Sequence, residues 1–193
     1  MFVFVPVLIL SSLLLASAGR SAMLGEFSAD CVKTMGGNVI KSKLYIKIDK
    51  IRTEIAEGDA LNVTILRLDK GAIWTLLPNN QYMEVKFDLL QNPSLAPEEA
   101  AKLADIKNIG VENIAGYPCD VTQYVYKEKK YGVMTQWISQ KLKYPLKMKL
   151  EQNGKVTMAE ELSNIKEEKL ADALFELPAG CKKFGIPGIK LPF

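Results

Sequence analysis

From Phe27 onward, short runs of alternating apolar and polar residues are separated by turn residues. In residues 51–55, for example, Ile51, Thr53 and Ile55 point to one side of a strand, and Arg52 and Glu54 point to the other. Turn residues recur about every 8 to 12 positions, a spacing typical of antiparallel sheets. The pattern predicts a meander of about ten short antiparallel strands rather than β-α-β units.

The clearest hairpin is predicted around Asn153-Gly154, because Asn-Gly between two alternating runs is the strongest short-range hairpin signal. The residues predicted to share its buried face are Leu146, Met148, Leu150, Val156 and Met158, with Lys147 and Lys149 toward water.

A break in the meander is predicted over residues 92–105. Pro97 followed by two glutamates is typical of the first turn of a helix, so a short helix is expected to end near Asp105. Together the patterns predict a mainly β, α+β chain with one domain. About ten antiparallel strands must form a sandwich, a barrel or one curved sheet, and periodicity alone leaves these alternatives open.

The first 18 residues contain 14 apolar side chains and no charge. Residues 1–15 are short for a bilayer span, and Ala16-Ser17-Ala18 is a small-x-small sequence of the kind that signal peptidase cleaves. We expect a secretory signal peptide over residues 1–18, cleavage near Ala18, and an exported domain over residues 19–193. An uncleaved membrane anchor is the alternative, because no lysine or arginine precedes the apolar run.

The composition excludes several kinds of chemistry. The 193-residue chain has no histidine, which rules out Ser-His-Asp or Cys-His catalysis and histidine-bound zinc. Three cysteines cannot by themselves complete a four-thiolate zinc site. A net charge of +3 is too weak to indicate nucleic-acid binding. We therefore expect a protein that is not an enzyme and needs no metal or cofactor, with lysine or carboxylate chemistry as the remaining enzymatic alternative.

The cysteines Cys31, Cys119 and Cys181 would meet an oxidising compartment after export. Three thiols permit one disulfide with three possible pairings. The alternative is three reduced thiols that are buried as small apolar side chains.

Several short motifs follow one another in a fixed order from Phe27 to about Lys183. They are Phe27-Ser28-Ala29-Asp30, Lys43 to Lys47, Lys50 to Glu54, Ile65 to Lys70, Trp74, Leu77-Pro78, Tyr82 to Glu84, Gly116 to Cys119, Trp137, Leu142 to Lys147 and Leu174 to Gly180. In this order the motifs resemble the bacterial lipoprotein-carrier superfamily, of the LolA and LolB type. They are most similar to a subgroup of unassigned function, often labelled outer-membrane lipoprotein-sorting proteins.

The resemblance implies a single curved antiparallel sheet, an unclosed barrel, with a short helix over its concave face. It also implies a periplasmic location and an apolar concavity that holds the acyl chain of a lipid or lipoprotein. The side chains expected to line it are Ile51, Ile55, Val63, Ile65, Trp74, Met83, Met134, Trp137, Met148 and Leu150. Methionine adapts to irregular ligands, but methionine and tryptophan are also common core residues, so a purely structural role is the alternative.

Against the pattern of the superfamily, Cys31 and Cys181 occupy positions that are ordinarily aromatic or apolar. The resemblance therefore favours a Cys31–Cys181 disulfide and leaves Cys119 as the free thiol.

Partners other than an acyl chain also follow from the sequence. An envelope protein bound through the curved sheet, in a structural or sensory role, is the second functional hypothesis. The lysines in residues 127–130 and 182–183 are candidates for transient contact with anionic lipid headgroups, and the alternative is that they are ordinary solvated turns.

Overall fold

The computed structural model describes residues 24–87 and 102–184 and contains twelve β-strands. In chain order these are β1 (Leu24–Met35), β2 (Asn38–Ile48), β3 (Lys50–Glu57), β4 (Ala60–Arg67), β5 (Ala72–Leu77), β6 (Gln81–Lys86), β7 (Ala104–Ile114), β8 (Tyr117–Tyr126), β9 (Val133–Ser139), β10 (Pro145–Gln152), β11 (Lys155–Glu167) and β12 (Lys182–Lys183).

All of these strands belong to one sheet, in the order β12-β6-β5-β4-β3-β2-β1-β11-β10-β9-β8-β7. Every neighbouring pair is antiparallel except β12 and β6, which are parallel. The predicted mainly β fold with one curved, unclosed sheet is confirmed, and the sandwich is excluded.

The Asn153-Gly154 hairpin is confirmed, and its buried face differs from the prediction at one position. Asn153 and Gly154 both have positive φ angles, 52° and 72°, as the tight turn requires. A register shift between Leu150 and Glu151 pairs Glu151 with Val156, whereas Leu150 pairs with Met158. Because this irregularity changes the alternation of side chains, Val156 is 55% exposed instead of buried.

Some predictions fall wholly or partly outside the described residues. The predicted signal peptide over residues 1–18 does so and stays a prediction, as does most of the predicted helix over 92–105. The end of that helix is corrected, because β7 begins at Ala104. No helix within residues 24–87 and 102–184 has the length and apolar character needed to cross a bilayer.

Cross-strand pairing divides β1–β6 into two faces. One row on the first face consists of Phe27, Ile46, Ile51, Leu66, Ile73 and Val85, each paired with the next. We name this side the Phe27 face. A row on the opposite side consists of Tyr45, Arg52, Ile65, Trp74 and Glu84, and we name that side the Trp74 face. Each face carries its own cluster of buried apolar residues.

Candidate functional site

The Trp74 face is covered by the protein's own C-terminal segment, which we define as residues 168–178. Leu170 and Phe175 from this segment form one buried cluster with Val63, Ile65 and Trp74. Phe175 is completely buried at the end of a short 3₁₀ helix, Asp172–Phe175. This half of the sheet therefore already has an apolar partner on the Trp74 face.

Three cations on the Trp74 face bind backbone carbonyls of the C-terminal segment. Lys47 Nζ donates to the carbonyl of Leu170 at 2.7 Å. Arg52 Nη1 donates to the carbonyl of Leu174 at 2.9 Å, and Arg67 Nη1 donates to that of Phe175 at 3.0 Å. Since this segment has little regular structure, these bonds satisfy carbonyls that a helix or sheet would otherwise satisfy.

Arg67 is the most completely partnered of these cations. Its guanidinium is 3% exposed, bonds both oxygens of Asp69 at 2.7 and 2.5 Å, and reaches Glu176 Oε1 at 2.6 Å. The hydrogen bonds that Arg67 donates to Asp69 raise the Arg67 pKa above its ordinary value, although burial alone would lower it. A buried guanidinium with its donors committed in this way is a structural anchor and not an open anion site.

Carboxylates around the segment have pKa values below their ordinary ones. A hydrogen bond from Lys47 lowers the pKa of Asp172, and a backbone hydrogen bond from Leu170 lowers that of Glu26. Burial alone would raise the pKa of Glu176, but hydrogen bonds from Lys70 and Arg67 lower it. Each group is therefore more acidic in the folded protein than in the unfolded chain.

The C-terminal segment is expected to loosen in acid. Because the pKa values of these carboxyl groups are lowered in the folded protein, ionisation stabilises the contact at pH values above the ordinary pKa values, which are 3.8 for aspartate and 4.5 for glutamate. That stabilisation disappears as the pH falls through the lowered values. In a Trp137→Phe variant Trp74 is the sole tryptophan, and its emission should move to longer wavelength as the pH falls below about 4.

The converse variant, Trp74→Phe, is the control because it reports on Trp137, away from the segment. The Trp74 transition should occur at a higher pH than the Trp137 transition. Coincident transitions would show that the segment does not loosen separately.

The Phe27 face shows a gradient of burial from β1 to β6. Phe27, Ile46, Ile51 and Leu66 are 0–6% exposed, whereas Ile73 and Val85, further along the same row, are half-buried. The adjacent row runs from the buried Ala29 and Leu44 to the half-buried side chains Thr53, Thr64, Thr75 and Met83. The apolar surface is thus closed at β1 and β2 and partly open over β3–β6.

A buried ion pair lies where the β1 border of the Phe27 face meets β11. Lys33 Nζ lies 3.3 Å from Glu160 Oε2, and the two side chains are 8% and 12% exposed. In the β1–β11 register this pair lies between the Cys31–Leu162 pair and the Met35–Met158 pair. It therefore forms a polar layer between the cluster containing Phe27 and a second cluster rich in methionine.

The methionine cluster is closely packed. Met134, Met148 and Met158 are 3%, 2% and 7% exposed and contact Tyr124 and Ala104. The Gln136 amide nitrogen lies 3.6 Å from the Met148 sulfur, and its amide oxygen has no hydrogen-bond partner among the described residues. Burial this complete favours the core role for these methionines.

The ten residues predicted to line the concavity are distributed over several surfaces. Ile51, Ile55 and Met83 share the Phe27 face. Val63, Ile65 and Trp74 lie on the Trp74 face beneath the C-terminal segment, and the Trp74 indole nitrogen donates to Glu84 at 3.0 Å. Met134, Met148 and Leu150 belong to the methionine cluster. Trp137 donates to Glu112 at 2.8 Å and lies beside Lys147.

All three cysteines are free thiols, so the expected Cys31–Cys181 disulfide is not formed. Cys31 lies on β1 and Cys181 directly precedes β12, and five strands separate β1 from β12 in the sheet. A disulfide requires Cα atoms within about 7 Å, whereas neighbouring strands are already about 4.8 Å apart. Burial raises the pKa of Cys31 to about 12, so its reactive thiolate form is strongly disfavoured.

The strand at one end of the sheet, β7, presents exposed side chains along most of its length. Ile106, Ile109 and Val111 are 38%, 54% and 60% exposed. Within the described residues β7 pairs only with β8, so its outer edge has no strand partner there. A register shift between Asn108 and Gly110 interrupts the pairing with β8.

Sequence reasoning missed the cations that hold the C-terminal segment. Alternation correctly placed Arg52 on the side opposite Ile51, but it did not show that residues 168–178 cover that side. The partners are more than 100 residues apart in the chain, and no local pattern links them. The two acidic residues of the segment that pair with these cations, Asp172 and Glu176, were the only feature of the sequence that could have indicated the contact.

No cluster of three or more histidine, cysteine or acidic side chains suited to a metal ion is present within the described ranges. A search of curated proteins found no match to the chain. The family described as "Domain of unknown function (DUF4412)" matches residues 31–143.

Solved structures with similar folds include an uncharacterized conserved protein from Thermus thermophilus. It is 15% identical, with a TM-score of 0.60 and coverage of 89% of this chain and 96% of that chain. MucB, in its complex with MucA from Pseudomonas aeruginosa, is 16% identical with a TM-score of 0.60. That alignment covers 92% of this chain but only 62% of the MucB chain.

A LolA superfamily protein from Nitrosomonas europaea is 13% identical, with a TM-score of 0.38 and coverage of 86% and 96%. The fold of this chain is shared with the Thermus thermophilus protein and with MucB, whose TM-scores are both 0.60. Sequence identities this low are evidence of a shared fold alone, and they carry no information about a shared activity.

Proposed function

The chain belongs to the DUF4412 family, a family of unknown function, and we propose from the geometry of its sheet that it is a binding protein for an acyl chain. The proposed binding surface is the Phe27 face of β3–β6. This is the part of the face where Ile55, Ile73, Met83 and Val85 are only half-buried. The protein would hold its ligand without transforming it.

The observation that supports this proposal is the contrast between the two faces of the same strands. The Trp74 face of β3–β6 is covered by Leu170 and Phe175. The Phe27 face of these strands keeps an apolar surface that is continuous with the core yet partly accessible. Each methylene that an acyl chain buries there contributes about 0.8 kcal/mol, so an acyl chain fits this surface better than a polar ligand does.

Threonines add a polar element to the proposed surface. Thr53, Thr64 and Thr75 are directly paired across β3, β4 and β5, so their side chains form one row beside the apolar row. Hydroxyl groups can donate to a carboxylate or ester oxygen. A ligand with an acyl chain and an oxygen-rich head is therefore the class that we expect.

The test is a titration of lipid-free protein with a dansyl-labelled undecanoic acid. Saturable binding with a blue shift of the dansyl emission is expected, with a dissociation constant on the order of 1 μM because association costs offset much of the gain from burial. Met83→Glu should weaken binding at least about tenfold, since it places a charge beside the buried chain. Native mass spectrometry would check the stoichiometry.

Leu61→Glu is the matched control, because it makes the same kind of change at a 56% exposed side chain beyond the proposed surface. It should bind the probe like the unaltered protein. Absence of saturable binding would contradict the proposal, as would a Met83→Glu variant that binds with unchanged affinity.

A second candidate function is binding of an envelope protein through β7. The observation that favours it is the exposed outer edge of β7, since an edge strand can pair with a strand from another chain. MucB, which has a similar fold, is seen in complex with MucA. A protein captured from an envelope extract by the unaltered chain, but not by an Ile109→Lys/Val111→Lys variant, would support this candidate. Capture that the substitutions leave unchanged would contradict it.

A further inference from the structure

Three neighbouring hairpins turn at the same end of the sheet. They are β1/β2, β10/β11 and β8/β9, whose strands are adjacent in the sheet order, and antiparallel pairing brings their turns to one end. The turns also contact one another. The Gly36 amide donates to the Thr157 carbonyl at 3.2 Å, and the Gln152 side chain donates to the Lys130 carbonyl at 3.0 Å. They therefore form one continuous surface.

Each of these three turns exposes at least one large apolar side chain. Met35 and Val39 on β1/β2 are 38% and 61% exposed, Val156 on β10/β11 is 55% exposed, and Tyr131 on β8/β9 is 47% exposed. We name these four residues the tip row. A single exposed apolar residue is ordinary on a protein surface, but a row along three contacting turns is typical of an interaction site.

The charges beside the tip row are mainly positive. Lys127, Lys129 and Lys130 on β8/β9 and Lys155 on β10/β11 are all exposed. The one carboxylate within residues 127–131, Glu128, pairs with Lys130 at 2.7 Å. No ion pair to a described carboxylate is found for Lys127, Lys129 or Lys155. The exposed apolar groups thus lie among cations available to an anionic partner.

The next hairpin along the sheet, β3/β4, has the opposite charge. Its turn also exposes an apolar residue, Leu61, but carries Glu57 and Asp59 and no cation within residues 57–61. An anionic surface would repel this turn. This end of the sheet therefore carries two sets of exposed apolar side chains. The tip row is surrounded by lysines, whereas Leu61 on the β3/β4 turn is similarly exposed but lies among carboxylates.

We propose that the tip row docks on an anionic lipid bilayer surface. Its apolar side chains enter the interface, and the surrounding lysines contact headgroup phosphates. Charge complementarity favours a lipid surface, and so does the arrangement of Lys130 Nζ 4.7 Å from the Tyr131 ring centre. Tyrosine and lysine both place an apolar body in the interface while a polar end stays hydrated. This surface is distinct from the proposed acyl-binding face and does not depend on it.

Vesicle co-sedimentation tests the proposal. Protein comprising residues 19–193 is mixed with phosphatidylcholine vesicles that contain about 30% phosphatidylglycerol, or with vesicles of phosphatidylcholine alone. Binding is expected only to the anionic vesicles and should weaken strongly between about 0.05 and 0.5 M salt. Each lysine near such a surface contributes about a fivefold change in affinity, so Lys129→Gln/Lys155→Gln should bind about 25-fold more weakly.

Val39→Ser/Val156→Ser should also reduce binding to anionic vesicles, whereas Leu61→Ser should leave it unchanged. Melting curves of all variants should coincide, because every substituted side chain is exposed. No binding to anionic vesicles would overturn the proposal, and so would equal binding by the lysine variant. Self-association that requires Val39 and Val156, without vesicle binding, would show a protein interface and would overturn it too.

Discussion

Replacing Arg67 with methionine is expected to lower the free energy of unfolding by about 1 to 3 kcal/mol. The change removes a guanidinium that is 3% exposed and leaves the Asp69 and Glu176 carboxylates without their closest cation. It also removes the donor to the carbonyl of Phe175, a residue that is completely buried. Because the buried Phe175 carbonyl would keep its full desolvation cost without a donor, the loss should exceed that of a surface ion pair.

Equilibrium unfolding in urea measures this difference. Lys70→Ala is the matched control, since Lys70 binds the same Glu176 carboxylate at 3.1 Å but is itself 43% exposed. An exposed pair of this kind contributes under about 1 kcal/mol. Equal losses for the two variants would show that Arg67 does not anchor the C-terminal segment.

Breaking the Lys33–Glu160 pair should have a larger effect, because the carboxylate left behind is nearly buried. Lys33→Met leaves the Glu160 carboxylate, 12% exposed, without the cation 3.3 Å away, and the expected loss is about 3 to 5 kcal/mol. Glu160→Leu should be destabilising for the same reason. Thermal or urea unfolding of each single variant would measure the cost.

The double variant Lys33→Met/Glu160→Leu should regain the loss and reach the stability of the unaltered protein, or exceed it by about 1 to 4 kcal/mol. The reason is that two apolar side chains of similar volume would join the clusters on either side of the pair. Additive losses in the double variant would contradict this expectation, because they would mean that the two side chains contribute independently and are not coupled.

If the double variant is stable, the ion pair has a role other than stability. It separates the Phe27 cluster from the methionine cluster at a defined position in the β1–β11 register. A polar pair that is costly to misalign can specify strand register, because a slip of one residue would place Lys33 opposite Ala159 or Glu161 instead of Glu160.

Local features of the chain predicted local structure well. The alternation in residues 51–55 correctly separated the side chain of Ile51 from that of Arg52, since successive side chains of a strand point to opposite faces. Asn153-Gly154 correctly predicted a hairpin because few other residue pairs adopt two positive φ angles. The predicted burial of Val156 was wrong because a register shift depends on both strands, and alternation within one strand does not reveal it.

The candidate site was predicted less completely than the fold. The family resemblance placed Ile65 and Met83 among the residues expected to share one concavity, but the pairing puts them on opposite faces of the sheet. Deciding between the faces requires the register of β3, β4, β5 and β6 together. It also requires knowing that residues 168–178 cover one of them.

The chain by itself therefore determined that this protein forms an antiparallel β meander, because alternation and turn chemistry act between neighbouring residues. Only the tertiary structure decided which apolar face is left partly open. Arg67 and Glu176 are 109 positions apart, and Lys33 and Glu160 meet across β1 and β11. Contacts at such separations depend on how the whole sheet curves and which surface the C-terminal segment buries. The pattern of apolar and polar residues does not encode that choice locally.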